Sequence, residues 1–404
     1  MTVIAMVMLA GAGFTSDPGT SRQLDGATPV AVTSFGSASP GSLPSDPAPP
    51  RSTPADLAPT GSAPSGLASS SLADSGHSAS SGSELSWRLT ETGSTARFRG
   101  LAPVSATVAW AAGSAGTILR TTDGGRTWAS VGPPEAAALQ FRDIEAFGPR
   151  HAVALTIGNG TDSRIYTTTD GGTTWTETFR NDDPAAFYDC VTFLDRRNGL
   201  ALSDPVDGRF RILATRDGGH TWKLRPTDGM PPALPGEFAF AASGTCLVSA
   251  AGHAWFATGG ATTARVFTSR DGGRNWTVTD TPVPSGPSAG IYSLAFRDPR
   301  HGIAVGGDYA AETTAPDGSA VTRDGGRNWT VSRTVPGEYR SGAAWRGRTA
   351  LTVGPTGSDV SYNNGVTWHR FDTGSFDAVA CAPTGACWAS GANGRIARLH
   401  TSHR

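Results

Sequence analysis

Short apolar stretches alternate with turn-forming residues along most of the chain after Trp87. One stretch, Thr117-Ile118-Leu119-Arg120-Thr121, leads directly into the turn Asp123-Gly124-Gly125. Short runs bounded by glycine, asparagine and aspartate are typical of β-strands, whereas helices need longer runs with a 3.6-residue period. The pattern therefore predicts an all-β protein built from many short strands and tight turns.

The turn belongs to a six-residue phrase that ends in tryptophan and recurs along the chain; we call it the repeat turn. The six copies begin at Asp123, Asp170, Asp217, Asp271, Asp324 and Asn363. Their tryptophans are 47, 47, 54, 53 and 39 residues apart, and repeats of about this length indicate a propeller or an array. We expect the first side chain to accept backbone N–H bonds and the glycines to adopt positive φ. A structural role fits a phrase present six times, whereas a single catalytic centre needs only one copy.

Upstream of the repeat turns, a second pattern joins two apolar stretches by a tight turn. Residues 191–194 and 199–202 are one example, and residues 294–296 and 302–306 are another. These pairs are interpreted as two inner strands. Together with the strands on either side of a repeat turn, they give four strands in each unit.

After the last repeat turn, three more apolar stretches follow without a further copy. They are residues 379–381, 387–391 and 393–399. Residues 86–89 carry the tryptophan and the apolar pattern that follow the turn in other units. The sequence therefore predicts a seven-bladed β-propeller whose N-terminal strand closes the last blade and removes a free edge.

Composition divides the chain near residue 85. Residues 1–15 contain a short apolar run that resembles a signal-peptide core, although no basic residue precedes it. Residues 16–85 are rich in Ser, Pro, Gly, Ala and Thr, lack Trp and Tyr, and are predicted to be a disordered linker. Residues 86–404 are the predicted propeller. The apolar leader followed by this spacer favours a secreted or cell-surface protein.

Charge and motif content exclude several classes of function. The chain has 33 Lys and Arg against 34 Asp and Glu, which argues against a nucleic-acid-binding surface. No run approaches the ~18–20 apolar residues of a membrane-spanning helix. No strand–GxGxxG–helix unit and no CxxC pair occurs, so we expect neither a dinucleotide cofactor nor a cysteine zinc site.

The repeat turns resemble the Asp box of sialidases and many other propellers. With the loop Asp204-Pro205-Val206-Asp207-Gly208-Arg209-Phe210, the repeats resemble the photosystem II stability/assembly factor family of plants and cyanobacteria, and more closely its secreted bacterial relatives. Similar phrases are residues 141–147, 187–190, 234–237 and 305–309. The resemblance covers residues 87–400 and implies a non-catalytic propeller that binds a partner protein during assembly. It does not identify the partner.

Strand direction predicts where a binding site lies. Strands alternate direction within a blade, so all repeat turns lie on one face, and the starts of the first strands surround the channel mouth on the opposite face. The candidate residues there are Arg99, Arg142, Asp143, Tyr188, Asp189, Asp204, Asp207, Arg209, Glu237, Tyr292, Asp308, Tyr309, Arg340 and Asp377. They are interpreted either as turn caps and inter-blade ion pairs or as a binding mouth for a protein, peptide or glycan. A monomer is expected.

A sialidase-like glycoside hydrolase is the alternative function. Sialidases combine an arginine cluster with a Tyr–Glu pair and an acid/base aspartate. The residues that would mimic this set are Arg99, Arg142, Arg340, Tyr188, Glu237 and Asp377. The Arg-Ile-Pro phrase of sialidases is missing, and Arg97-Phe98-Arg99-Gly100 stands nearest to it. We therefore favour a protein without catalytic activity.

Four cysteines occur in the chain. Cys381 and Cys387 flank one predicted hairpin and are candidates for a cross-strand disulfide. Cys190 and Cys246 belong to neighbouring blades, where they either pair or remain buried small hydrophobic residues. Asp204 and Asp207 have the chemistry to bind calcium, but a loop-capping role is favoured and no metal site is predicted.

Overall fold

The computed structural model describes residues 84–402. The predicted signal segment and the predicted linker up to residue 83 lie outside the described residues. The first strand begins at Glu84, so the last two residues assigned to the linker belong to it.

Within this range the strands form seven antiparallel four-stranded sheets, which are the blades. Blade 1 contains β2 (Phe98–Pro103), β3 (Ala109–Gly113), β4 (Ile118–Thr121) and β5 (Ala129–Ser130). Blade 2 contains β6 (Gln140–Ala146), β7 (Ala152–Ile157), β8 (Arg164–Thr168) and β9 (Thr176–Arg180). Blade 3 contains β10 (Tyr188–Phe193), β11 (Gly199–Val206), β12 (Arg209–Thr215) and β13 (Lys223–Leu224). Blade 4 contains β14 (Leu247–Ala250), β15 (His253–Ala257), β16 (Arg265–Ser269) and β17 (Thr277–Asp280).

The remaining blades follow the same order. Blade 5 contains β18 (Ala289–Phe296), β19 (Gly302–Asp308), β20 (Ser319–Thr322) and β21 (Thr330–Val331). Blade 6 contains β22 (Gly342–Arg346), β23 (Thr349–Gly354), β24 (Gly357–Ser361) and β25 (His369–Asp372). Blade 7 contains β26 (Ala378–Cys381), β27 (Cys387–Ser390), β28 (Ile396–Ser402) and the N-terminal strand β1 (Glu84–Thr90). Two 3-10 turns cover Pro134–Ala136 and Gly160–Asp162. Among the described residues, no helix is long and apolar enough to cross a membrane.

The ring is closed by the pairing of the N-terminal strand with the C-terminal strand. Strand β1 runs antiparallel to β28, with Trp87 opposite Leu399 and Thr90 opposite Ile396. The all-β class, the seven blades and the closing strand are therefore confirmed. Trp87 also reaches blade 6, where its Nε1 donates to Ser358 Oγ at 2.9 Å. Closure thus buries an aromatic side chain as well as removing a free edge.

All six repeat turns share one hydrogen-bond pattern, seen clearly in blade 1. The Asp123 carboxylate accepts from the backbone N–H of Thr127 at 3.0 Å and from its hydroxyl at 2.7 Å. Thr121 Oγ1 donates to Asp123 and accepts from the N–H of Gly125. Gly124 and Gly125 have φ of 80° and 85°, a region open mainly to glycine.

The threonine or serine two residues before each repeat turn was not part of the sequence prediction. The six residues at this position are Thr121, Thr168, Thr215, Ser269, Thr322 and Ser361. Asn363 replaces the carboxylate in blade 6: its Oδ1 accepts from the N–H of Thr367, and its Nδ2 donates to the hydroxyl of Thr367. The geometry is therefore kept without the charge.

Both cysteine pairs form disulfides. Cys381 and Cys387 lie opposite each other on β26 and β27, with Cα atoms 4.0 Å apart. Cys190 and Cys246 join the first strand of blade 3 to the segment before blade 4, with Cα atoms 6.1 Å apart. The second bridge therefore links neighbouring blades close to the central axis.

Candidate functional site

Four side chains at the channel mouth are positioned by β-bulges. In β2, β6, β10 and β18, the innermost strands of blades 1, 2, 3 and 5, the pairing register shifts by one residue near the start of the strand. The residues skipped by these shifts are Arg99, Arg142, Asp189 and Tyr292. A bulged residue has no partner in the ladder, and the bend re-aims its side chain. Four blades thus supply one side chain each at the same level of the ring.

Arginines from blades 1 and 2 occupy one side of the mouth. Arg97 holds Asp377 with two hydrogen bonds of 2.6 and 2.7 Å, and Arg99 Nε lies 3.8 Å from the same carboxylate. Arg142 lies beside them, and burial followed by repulsion from Arg99 and Arg97 lowers the pKa of Arg142 to about 9. Arg97 and Arg99 thus contact the same carboxylate, Asp377, and Arg142 has no ion pair among residues 84–402.

Aromatic rings from blades 4 to 6 form the opposite side. Tyr292 stacks on Phe240 with ring centroids 3.9 Å apart. Tyr339 packs edge-on against Tyr292 at 4.8 Å, and Tyr309 does so at 6.3 Å. The Tyr292 hydroxyl is fixed by donating to Ser288 O at 2.6 Å. The mouth is therefore polarised, with a cationic side and an apolar side.

A segment of residues 238–246 lies between these sides and precedes the first strand of blade 4. Ala241 O accepts from Arg142 Nη1 at 2.9 Å, and Ala239 N–H donates to Asp204 at 2.8 Å. Thr245 O accepts from the N–H of Leu294 in blade 5. The segment thus contacts blades 2, 3 and 5, and its far end is fixed by the disulfide at Cys246.

Buried carboxyl groups lie below the arginines. Burial and the neighbouring Asp204 carboxylate raise the pKa of Asp189 well above its usual range, and burial raises the pKa of Asp204 to about 7. Burial likewise raises the pKa of Asp143, whose oxygens accept from the N–H groups of Ile144 and Val191 at 2.8 and 2.7 Å. Asp143 therefore joins blades 2 and 3 and is not open to a ligand.

Three predicted site residues are held elsewhere. Arg340 is fully buried and pairs with Asp359 at 2.6 Å within blade 6. Glu237 pairs with Arg265 in a buried contact, ten residues before the strand that it was expected to begin. The prediction that Arg340 and Glu237 are mouth residues is therefore wrong, because each of these side chains is already paired with a buried counter-ion. Tyr188 packs against Phe179 at 5.2 Å between blades 2 and 3.

The remaining predicted residues lie in the loops of blades 3 and 5. Asp207 stands exposed at positive φ in the turn between β11 and β12, 3.8 Å from Arg211. Arg209 donates to Met230 O, and Asp308 caps the N–H of Ala310 at 2.8 Å. Of this group only Tyr309 joins the aromatic side. Within residues 84–402, no group of three or more His, Cys, Asp or Glu side chains has the arrangement of a metal site.

Sequence reasoning missed Arg97, Tyr339 and the rings of Phe238 and Phe240. The spacing of 54 residues between Trp222 and Trp276 was the available signal for the inserted segment, because the preceding spacings are 47. Arg97 and Tyr339 each lie within two residues of a predicted site residue. Only the fold shows that they contact Asp377 and Tyr292.

The geometry defines a seven-bladed β-propeller with a polarised channel mouth. No protein-family model matches the chain, and no curated protein matches it. Among solved structures, YCF48 bound to a D1 peptide is 14% identical, with a TM-score of 0.56 over 78% of this chain and 95% of that chain. YCF48 from Cyanidioschyzon merolae is 16% identical, with a TM-score of 0.55 over 78% and 98%. This likeness agrees with the resemblance found in the sequence, and it shows the propeller fold.

Proposed function

We propose that this protein is a non-catalytic binding module that holds a peptide segment of a partner protein at the channel mouth. The observation that carries the proposal is the set of bulges that bring Arg99, Arg142 and Tyr292 to one level of the ring. Bulges disrupt the ladder locally and are found where a side chain has to be re-aimed. Four of them at equivalent positions favour a functional surface over ordinary turn caps.

The chemistry of the mouth favours a segment with a carboxylate next to an apolar side chain. Arg99 keeps a fifth of its side chain exposed and contacts Asp377 only through Nε at 3.8 Å, so its guanidinium is available to a ligand carboxylate. Arginine binds carboxylates through two parallel N–H groups. On the other side the partly exposed rings of Phe238 and Tyr309 offer an apolar surface, packed on the buried rings of Phe240 and Tyr292.

A peptide is favoured as the ligand class by a propeller of the same fold. The solved structure of YCF48 with a D1 peptide is a peptide complex. For this chain we propose only that the ligand is a peptide, without assigning its sequence.

Export to an oxidising compartment is part of the proposal. Two disulfides use all four cysteines, and such bonds persist mainly outside the cytosol. The apolar leader and the Ser/Pro-rich spacer favour the same location, secreted or at the cell surface.

The glycoside hydrolase alternative loses support from the geometry. Glu237 is committed to Arg265, Arg340 to Asp359, and Tyr188 is packed between blades. A glycosidase needs two carboxyl groups that flank one bond. We expect no turnover of a panel of fluorogenic glycosides, and turnover that Glu237→Gln abolishes would overturn the non-catalytic proposal.

Peptide display tests the binding site directly. Residues 84–404 are screened against random peptides, and a selected peptide is measured by fluorescence anisotropy. Arg99→Gln with Arg142→Gln is expected to weaken its binding at least tenfold, because charge-assisted hydrogen bonds contribute about 1.5–3 kcal/mol each. Arg126→Gln, on the face of the repeat turns, is the matched control and should bind as the unmodified protein does. Equal binding by the double variant would show that the mouth is not the site.

A further inference from the structure

A cavity lies at the seam between blades 3 and 4, on the face of the repeat turns and therefore opposite the mouth. Its volume is about 340 Å³, and Arg216, Arg225, Arg270 and Arg274 line it together with Asp195 and Asp271. A neighbouring cavity of about 390 Å³ shares Arg216 and Arg225 and adds Lys223, the only lysine of the chain. Five cationic side chains thus line two neighbouring cavities, although the net charge of the chain is −1.

At this seam, blade 3 has Ala214 at the position that carries a long arginine side chain in blades 1 and 7. In blade 1 the cross-strand pair is Trp110 and Arg120, and Arg120 Nη1 donates to Gly171 O of the next repeat turn at 2.7 Å. Blade 7 has Trp388 and Arg398 in the same roles. The equivalent pair in blade 3 is Leu200 and Ala214. These two side chains leave the seam unfilled.

Arg225 enters this seam from the outer strand. Arg225 lies three residues after the repeat-turn tryptophan of its blade. At the same position, blades 1 and 5 have the uncharged residues Val131 and Ser332. Arg225 makes one long hydrogen bond, from Nη2 to Gly272 O at 3.4 Å, and its Nε is buried without a partner among the described residues. A half-buried guanidinium with free donors is unusual, because burying an unsatisfied charged group costs free energy.

Two carboxylates, Asp195 and Asp271, also line the cavity and offset part of the charge of the four arginines. Asp195 accepts from the N–H groups of Arg197 and Asn198 and from the Asn198 amide. Asp271 is engaged by its own repeat turn. In residues 84–402 none of the four arginines that line the first cavity forms an ion pair. Four arginines against two carboxylates leave the cavity lining with an excess of positive charge, which favours binding of an anion.

We propose that the cavity between blades 3 and 4 binds a tetrahedral oxyanion of the phosphate or sulfate type. Arg225 supplies N–H groups from the floor, while the exposed Arg216, Arg270 and Arg274 close around the anion from the rim. Arg216 and Arg270 stand at the same position, directly before the first aspartate of their repeat turns. The site is independent of the mouth, since no residue lines both.

Isothermal titration calorimetry with sodium phosphate and with sodium sulfate tests the proposal, at pH 7.5 and at an ionic strength held constant with sodium chloride. Both anions are expected to bind at one site, and stronger binding of one of them assigns the class. Arg225→Gln is expected to weaken binding about tenfold, the effect of losing one charge-assisted contact. Arg216→Gln with Arg270→Gln changes only exposed side chains and should weaken it at least as much.

Arg323→Gln is the matched control, because Arg323 takes the same position before the repeat turn of blade 5 and does not line the cavity. It should bind as the unmodified protein does. The proposal is overturned if neither anion gives more heat than chloride. It is also overturned if the Arg216/Arg270 variant binds as tightly as the control.

Discussion

Replacing Trp87 by alanine tests whether the N-terminal strand holds the ring closed. The indole packs against Phe376 at 5.6 Å and Phe371 at 6.0 Å, and its Nε1 donates to Ser358 Oγ at 2.9 Å. Each aromatic pair contributes about 0.5–1.5 kcal/mol beyond area burial, and the hydrogen bond about 1 kcal/mol. Because the side chain is only partly buried, we expect a loss of about 3 kcal/mol, at the lower end for large-to-small changes in a core.

Equilibrium unfolding in urea, followed by tryptophan fluorescence and circular dichroism, measures this loss for residues 84–404. Leu89→Ala on the same strand is the matched control: its side chain is 61% exposed, so the free energy of unfolding should change by less than about 0.5 kcal/mol. If Trp87→Ala changes the free energy no more than Leu89→Ala, the strand does not stabilise the ring and the reasoning is refuted.

Three further predictions concern the stability of the folded protein: its pH dependence, the disulfide between Cys190 and Cys246, and the ion pair of Arg340. Burial raises the pKa of Glu145 and of Asp204 to about 7, so the folded state keeps protons that the unfolded chain releases near pH 4. The free energy of unfolding, measured in urea, should therefore fall as the pH rises from about 5 to about 8, by roughly 3 kcal/mol for Glu145 alone. Replacing Cys190 and Cys246 by alanine opens a loop of 56 residues and should cost about 4 kcal/mol in thermal or urea unfolding. Arg340→Ala removes the buried one of the two arginines that pair with Asp359 and leaves only Arg370, at 3.3 Å, so it should cost about 3 kcal/mol in urea unfolding.

Each of these outcomes has a control. Glu145→Gln should reduce the pH dependence by the share of that carboxyl and leave the share of Asp204, and an unchanged slope would contradict the assignment to Glu145. The alanine pair at positions 381 and 387 opens a loop of only six residues and should cost about 2 kcal/mol; an equal cost for both pairs would contradict the loop-length argument. Arg126→Ala, which is exposed, should leave stability unchanged, and a similarly small effect of Arg340→Ala would show that its ion pair is dispensable.

Sequence periodicity is enough to predict the ring, because the repeat turns fix strand order and direction locally. The same direction argument identifies Arg99, Arg142, Asp189 and Tyr292 at the starts of inner strands. It does not identify their bulges, since a register shift depends on the partner strand. For Arg340 the direction of the strands does not predict the position of the side chain. Its counter-ion Asp359 is 19 residues away in the sequence, and the pairing of β22 with β23 and of β23 with β24 brings the two together.

The inserted segment of residues 238–246 shows a second limit. Its length is visible in the spacing of the tryptophans, but its path toward blade 2 depends on the contact between Arg142 and Ala241. The anion cavity depends likewise on Leu200 and Ala214 lying opposite each other. Comparing the repeats position by position would have identified Ala214 as the smallest residue of its set. That Arg225 enters this cavity with an unpaired Nε can be seen only in the folded structure.

Hydrogen–deuterium exchange with and without a selected peptide tests the central claim most directly. If the mouth is the binding surface, bound peptide should slow exchange in residues 97–100, 140–143 and 238–242 and leave the six repeat turns unchanged. Protection confined to the repeat turns or to the outer strands would contradict the account.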